Sequence, residues 1–271
     1  VPIIVTSHGV DIQKDRNIGY GARLNKLAAI ITWFTLKFVD IHVVVSRSMI
    51  KDAIEAGSNP QKIRVVYNGI NLENICLRGG TEILKRYGIT KSDFVILYLG
   101  RLHPKKRPED LIRAFPKVVQ NAPNAKLIIA GKGPEERKLK KLSLDLGVAD
   151  RIIFTGFVSE DEKWDLLRRC DVYVLPSIIE GHPISLIEAM ACGKPVITTD
   201  VGPFSEIIKN GETGILVPAR SPDHLAAAII YLAQNEEKRR EIGKKAREEV
   251  ENRFDIRKIA NEHLKIYSEL V

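Results

Sequence analysis

Residues 171–195, DVYVLPSIIEGHPISLIEAMACGKP, decide the architecture. The apolar run 171–175 reads as a strand, and it stops at Pro176, where the chain loses a backbone donor for any further ladder. A short polar turn then carries Glu180. The apolar stretch 185–191 reads as a helix, with Glu188 about one turn inside it. Two carboxylates at the mouth of a strand–loop–helix unit can hold a polyhydroxylated ligand, while the N–H groups of the helix start face its phosphates. That combination points to a sugar nucleotide.

The same strand–helix alternation extends in both directions and predicts an α/β fold with parallel sheets covered on both faces. Upstream, strands are expected at 3–7, 41–45 and 63–66, with helices at 23–39 and 48–56. Downstream, strands are expected at 95–99, 126–130, 151–154, 172–175, 196–198 and 214–217. Helices near 108–120, 135–146, 160–168, 185–191 and 205–209 separate them, and a helical block at 222–271 breaks near 252–255. The rhythm lapses between Leu72 and Ser92, around Gly79-Gly80, apart from a short helix at 81–87. The expected organisation is therefore a first domain at 1–75, a linker region at 76–92 and a second domain at 93–252. A C-terminal helix at 253–271 is expected to pack back toward the first domain. Segment 23–39 is apolar nearly all round, with Trp33, Phe34 and Phe38 beside Arg23, Lys26 and Lys37. It is expected as a helix buried between layers, the alternative being a membrane-surface helix.

The chain has 271 residues, 44% hydrophobic and 28% charged, which suits one large domain or two modest ones. A formal charge of +8 favours anionic partners. Nucleic acid is not among those expected, because aromatics are only 6% and no recognition-helix, zinc-finger or base-stacking pattern occurs. Cys76, Cys170 and Cys192 are widely spaced, so neither a disulfide framework nor a zinc knuckle is expected, in keeping with a reducing cytoplasm. Cys170 and Cys192 read as small core residues. Val1 begins directly inside a strand-like run, so the chain reads as a fragment whose earlier elements are absent.

Two glycine-containing loops follow apolar strands. Gly131-Lys132-Gly133-Pro134-Glu135-Glu136 lacks the third glycine of a dinucleotide loop, and its glutamates oppose a pyrophosphate at the helix start. It reads as a structural tight turn. Gly100-Arg101-Leu102-His103-Pro104-Lys105-Lys106-Arg107 reads differently. It lies at the carboxyl end of a strand, where open α/β sheets bind ligands. Arg101 offers a planar fork and Lys106 a flexible point charge, a pair suited to a diphosphate leaving group.

Taken in order, Gly100-Arg101-Leu102 with Lys106, the run 155–158, the run 171–177, Glu180-Gly181, the run 186–189, the run 193–196, Glu206 and the run 211–218 form one pattern. It resembles the retaining nucleotide-sugar glycosyltransferases of GT-B fold, often called family 4. The resemblance implies two Rossmann-like domains, the first only partly present here. It implies transfer of a hexosyl unit from a nucleoside-diphosphate sugar to a hydroxyl of a saccharide or lipid-linked acceptor, with retained configuration. By position, Arg101 and Lys106 resemble the phosphate-binding pair. Gly156, Phe157 and Val158 resemble the loop that meets the base through backbone atoms. Glu188 resembles the ribose-binding carboxylate, and Glu180 the one that orients donor-sugar hydroxyls. The N–H groups of Ile184, Ser185 and Leu186 would face the diphosphate, and His8 resembles a histidine near donor and acceptor.

There are departures. Arg107 stands where the family commonly has glycine, so Lys105 or Arg107 could share the phosphate role. His182 replaces a frequent aromatic residue and would touch the sugar or cap the turn. Asn71 replaces an aspartate, with little chemical effect expected. No Asp-x-Asp occurs, so the expected reaction is metal-independent and needs no cofactor, the sugar nucleotide being a substrate. The expected location is cytoplasmic. Basic runs at 137–141 and 238–245 are compatible with peripheral membrane contact, though ordinary helix surface is the preferred reading. Rival readings are a glycoside hydrolase using Glu180 and Glu188, a sugar-nucleotide epimerase of similar fold, and a binding fragment inactive by itself.

Overall fold

A computed structural model describes residues 1–73, 75 and 82–270. Two parallel sheets organise them. The smaller has β1 (Ile4–Ser7), β2 (Ile41–Val44) and β3 (Ile63–Val65) in that spatial order. The larger has β4 (Phe94–Leu99), β5 (Ala125–Ala130), β6 (Ile152–Gly156), β7 (Val172–Leu175), β8 (Val196–Thr199) and β9 (Ile215–Val217), in the order β6-β5-β4-β7-β8-β9. All its strand pairs are parallel. Every residue of β4, FVILYL, is buried, which explains why it reads as an unbroken apolar run and sits at the centre of the sheet. The chain winds first to one side, through β5 and β6, and then to the other, through β7, β8 and β9. The order therefore reverses between β4 and β7.

Helices connect the strands. They are α1 (Lys26–Phe38), α2 (Ile50–Ala56), α3 (Glu82–Arg86), α4 (Pro108–Asn121), α5 (Glu136–Asp145), α6 (Glu160–Arg169), α7 (Ile184–Ala191) and α8 (Phe204–Ile207). The chain closes with α9 (Pro222–Gln234), α10 (Glu236–Arg253) and α11 (Ile256–Ser268). The expected break near 252–255 is present: Asp255 accepts from Arg257 N at 2.9 Å and restarts the helix as its cap. A second break, at Asn235, has no glycine or proline to announce it. The expected linker at 76–92 lies partly outside the described residues, as do Gly79-Gly80 and Cys76 entirely. Its described part includes α3.

The small sheet is covered on both faces. Leu36, Met49, Ala53 and Ala56 from the α1 and α2 side meet Val44 and Val45. On the other face Ile259 and Ile266 of α11 meet Ile41, Val43 and Val66. The chain thus crosses between the sheets twice, and the crossings are stitched together. Ile70 N donates to Phe254 O at 2.9 Å, and Ile256 N to Ile70 O at 3.0 Å.

One expectation fails. Segment 23–39 is not buried: Asn25 caps a helix whose Leu27, Ile30, Ile31, Trp33, Phe34 and Phe38 are exposed, and only Leu36 is buried. Helix α1 leans on residues 22–24 and on α2 and reaches the core beside the small sheet through Leu36, and no second layer lies over its other face among the described residues. An apolar surface all round says that a helix should be covered, not by what.

Phe254 is fully buried at the second crossing, with edge contacts to the rings of Tyr67 and His182. Phe254→Ala is expected to cost about 3–5 kcal/mol, the usual range for a buried aromatic. The midpoint and slope of urea denaturation would measure it, and a loss under about 1 kcal/mol would show that the crossing is not a packed joint.

Candidate functional site

In an open parallel sheet, the crevice for a ligand lies outside the carboxyl ends of the strands where the order reverses. Here that point is the gap between β4 and β7. The loop 100–107 leaves β4 there, and the loop 176–183 leaves β7.

The first loop is held from below. Tyr98 OH donates to Arg101 O at 3.0 Å, Leu102 N to Lys132 O at 3.0 Å, and Glu135 N to Leu102 O at 3.2 Å. Gly131 has φ 142°, and a Cβ on it would fall 2.0 Å from Gly100 O; one on Gly133 would fall 2.1 Å from Leu102 O. The glycine loop 131–136 is therefore a tight support for the basic loop rather than a cradle of its own. Arg101 is exposed and its guanidinium makes no hydrogen bond or ion pair among the described residues. Arg107 is not available in the same way. It takes the left-handed conformation (φ 52°), and its fork binds both Asp110 oxygens at 2.6 and 2.9 Å, with Glu109 beside it. That removes it as a partner for a phosphate. Lys105 lies 4.2 Å above the Tyr20 ring and reaches its hydroxyl at 3.1 Å. Burial lowers the Lys105 pKa against the pull of Glu180 and pushes the Tyr20 phenol up to about 12, with Glu180 adding to the latter.

The second loop carries Glu180, which is 6% exposed. Lys106 Nζ stands 2.5 Å from its Oε1 as an ion pair. The approach is off the direction of a hydrogen bond, so that oxygen remains buried without one. Gln13 Nε2 holds the Glu180 carbonyl at 3.0 Å. A Cβ on Gly181 would fall 2.4 Å from His8 O, so only glycine allows the end of β1 to lie against this loop. His8 itself is exposed. The structure thus brings together Arg101, Lys106, Glu180 and the His8 segment, contributed by three strand ends from two sheets.

Glu188 lies one turn into α7, where Lys163 of α6 donates to its Oε1 at 2.6 Å. Burial raises its pKa, with Lys163 working against that rise. The start of α7 has Pro183 at the cap position, which supplies no side-chain acceptor. Leu186 N already donates to Pro183 O at 3.2 Å, so of the three expected N–H groups only those of Ile184 and Ser185 remain without an acceptor among the described residues. Gly156 has φ 70° and its carbonyl accepts from Gly131 N at 2.8 Å. Phe157 beyond it is exposed, and Val158 packs against the core.

His182 is packed inside the fold, with its Nε2 buried and without a partner among the described residues. It is 5% exposed, with its ring between those of Tyr67 and Phe254 at 5.1 and 5.2 Å. Its Nδ1 accepts from Asn68 N at 3.2 Å, and its carbonyl from Asn68 Nδ2 at 3.0 Å. Burial, helped by Arg253, depresses its pKa to about 3. It is an inter-sheet wedge. Asn71, expected to have little effect, borders a cleft of about 420 Å³ together with Glu188, Ile184 and Trp164.

Sequence reading missed several residues. Tyr20 and Gln13 come from a loop before α1, and Lys163 from a helix face, and each meets a residue far away in sequence. Only Tyr20 carries a local signal: it stands between Gly19 and Gly21, both at positive φ. Glu206 of α8 was noted only within the pattern; its carboxylate accepts from Arg47 N at 2.8 Å, Ser48 N at 2.7 Å and Tyr67 OH at 3.1 Å.

Two parallel sheets, the larger with its order reversed where a basic loop meets the buried Glu180, define an α/β protein of GT-B type. The family model for "Glycosyl transferases group 1" matches residues 80–249, and that for "Glycosyltransferase Family 4" residues 1–74. The chain belongs to the group 1 glycosyltransferases. It is 33% identical over its whole length to the N-acetyl-alpha-D-glucosaminyl L-malate synthase of Bacillus anthracis, of which it covers 68%. It is 33% identical over 184 residues (64% of the chain) to a D-inositol 3-phosphate glycosyltransferase of Acidothermus cellulolyticus, spanning 41% of that protein. In fold it matches Anabaena HepE, solved with UDP and glucose, with a TM-score of 0.86 at 22% identity, over 99% of this chain and 72% of that one.

Two outcomes follow from this packing. His182 is neutral when folded and titrates near its ordinary value when unfolded, so the unfolded chain binds the extra proton between about pH 6.5 and pH 3. Stability should therefore fall as pH drops through that window, by up to about 1.4 kcal/mol per pH unit from this residue. His42, whose pKa burial also lowers, adds a loss of the same sign. Denaturation curves for wild type and His182→Gln at pH 7.5 and pH 5 would separate the two, the variant showing the shallower dependence. Gly181→Ala, which forces the loop off His8 O, is expected to cost at least about 2 kcal/mol in the same measurement.

Proposed function

We propose that the protein transfers a hexosyl unit from a nucleoside-diphosphate sugar to an acceptor hydroxyl, with retained configuration and without a metal ion. The observation that carries this is the pairing of Lys106 with Glu180 beside the unpaired fork of Arg101, at the point where the strand order reverses. Retention is taken from the family resemblance. Because the chain spans 68% and 41% of the two relatives named above, nucleotide binding is assigned to the residues described here and transfer to the whole protein.

Departure of the nucleotide leaves negative charge on its diphosphate. Arg101, Lys106 and the N–H groups of Ile184 and Ser185 are cast as the groups that stabilise that charge as it develops. A diphosphate at Lys106 competes with Glu180 for the same ammonium. Donor binding thereby releases the Glu180 carboxylate to accept from sugar hydroxyls. Glu188 is cast as the ribose acceptor, and the backbone of 156–158 as the contact for the base. His8, at the end of β1, is assigned to the sugar and acceptor side. The two relatives named act, by their names, on L-malate and on D-inositol 3-phosphate, which supports an acceptor that is small, anionic and hydroxylated. A hydrolase reading is less well supported, because it gives no role to the basic loop whose Lys106 pairs with Glu180.

Calorimetry with UDP, GDP and ADP tests donor binding, and nucleotide release from their sugars, with and without L-malate, tests transfer. Arg101→Ala with Lys106→Ala is expected to weaken nucleotide binding at least about tenfold, the scale of one lost charge-assisted contact. Glu180→Gln should keep nucleotide affinity and lower turnover by about a hundredfold or more. Saturable nucleotide binding unaffected by the double substitution would refute the assignment. Turnover of the sugar nucleotide independent of any acceptor would move the protein to an epimerase or a hydrolase.

A further inference from the structure

Lys163 stands outside the pattern by which the chain was read, yet it is tied to the carboxylate assigned to ribose. Helix α6 opens with a capping box, in which Ser159 and Glu162 satisfy each other's backbone N–H groups. Lys163 follows directly, on the turn that faces α7. Its Nζ donates to Glu188 Oε1 at 2.6 Å and lies 2.9 Å from Glu160 Oε2 and 4.7 Å above the Trp164 ring. Both members of the pair are largely buried, Lys163 with 14% and Glu188 with 10% of its side chain exposed. Glu188, with Glu160 and Trp164 beside it, borders the cleft whose far wall is Gly69, Ile70 and Asn71 of the first crossing. Glu188 Oε2 takes no hydrogen bond from any described residue.

A buried carboxylate of this kind has two ways to exist: as the neutral acid, or as an anion with a fixed counter-charge. We propose that Lys163 is a positioning residue for nucleoside binding. By holding Oε1 it keeps Glu188 charged and fixes its direction, leaving Oε2 to accept from a ribose hydroxyl. This inference rests on the assignment of Glu188 to ribose. The charged and titratable groups around Glu188 are Lys163 and Glu160 of α6, Tyr173 of β7 and Cys192 at the end of α7. Burial works to lower the Lys163 pKa, but Glu188 and Glu160 outweigh it and hold it above the ordinary value, so the proton belongs to the lysine. Tyr173 and Cys192 are both pushed up by burial and remain neutral near pH 7. The titration that distinguishes the variants is that of Glu188, since the terminal phosphate of the nucleotide titrates alike with all of them.

The sign is fixed by that arrangement. Burial already raises the Glu188 pKa, and without Lys163 it must rise further. Loss of the anion on acidification should then begin at a higher pH. The experiment is calorimetric titration of the full chain from pH 5.5 to pH 8.5 with whichever of UDP, GDP and ADP binds the wild type most tightly. In Lys163→Met the acid limb of affinity is expected about one unit higher, with binding weakened by up to about tenfold toward the acid end of the range and near the wild type at pH 8.5. Lys163→Arg should restore the wild-type profile, and Glu188→Gln should bind weakly with no acid limb beyond that of the nucleotide's own terminal phosphate. A Lys163→Met profile superimposable on the wild type, or uniformly weak binding with no recovery at pH 8.5, overturns the role of Lys163. Undiminished binding by Glu188→Gln, or no nucleotide binding by the wild type, overturns the ribose assignment itself and this inference with it.

Discussion

Because each sheet contains only parallel pairs, every strand in it delivers the chain to the same edge, and every return must pass through a helix on a face. That constraint leaves one edge of the large sheet crowded with loops. It leaves one gap there, where β4 and β7 send their chains in opposite directions. The basic loop, the Glu180 loop and the start of α7 meet in that gap because no other place in the sheet admits them. The end of β1 joins them across the gap, and it does so through backbone rather than side chain: the closest approach is His8 O against Gly181.

The second organising fact is electrostatic. Glu180 and Glu188 are both buried to below a tenth of their surface, and each has a lysine within 2.6 Å. A buried carboxylate stays ionised only beside a counter-charge, so the lysines are part of the site and not an accident of its surface. The two pairs differ in alignment. Lys163 makes a directed hydrogen bond to Glu188, whereas Lys106 lies close to Glu180 without one. The misaligned pair is the one whose lysine has another role available to it. The neighbouring cation, Lys105, is restrained separately by Tyr20, so the basic loop is tethered to the first sheet at one lysine and to the Glu180 loop at the next.

Much of this was legible in the sequence, for identifiable reasons. The strands show because parallel strands buried on both faces are continuous apolar runs, as in 94–99 and 172–175. Arg101, Lys106, Glu180 and Glu188 could be singled out because each sits at a strand end or helix start, where chemistry concentrates. What could not be read were pairings made across the fold. Nothing near Lys163 announces Glu188, and nothing near Asn68 announces His182. Arg107 looked equivalent to its lysine neighbours until the left-handed turn set its fork against Asp110. The reading of 23–39 failed for a related reason, since apolar character states a demand for cover and carries no information about its source.

The uncovered side of α1 also governs how the chain behaves among its own copies. Six large apolar side chains on one short helix form a larger continuous apolar surface than a dispersed molecule in water usually leaves open. A net charge of +8 opposes close approach between copies while ionic strength is low. Added salt shortens that repulsion to a few ångströms, and strongly hydrated anions such as sulfate tighten apolar contact at the same time. The apolar side of α1 and the charge of the whole thus act against each other, and salt shifts both terms in the same direction.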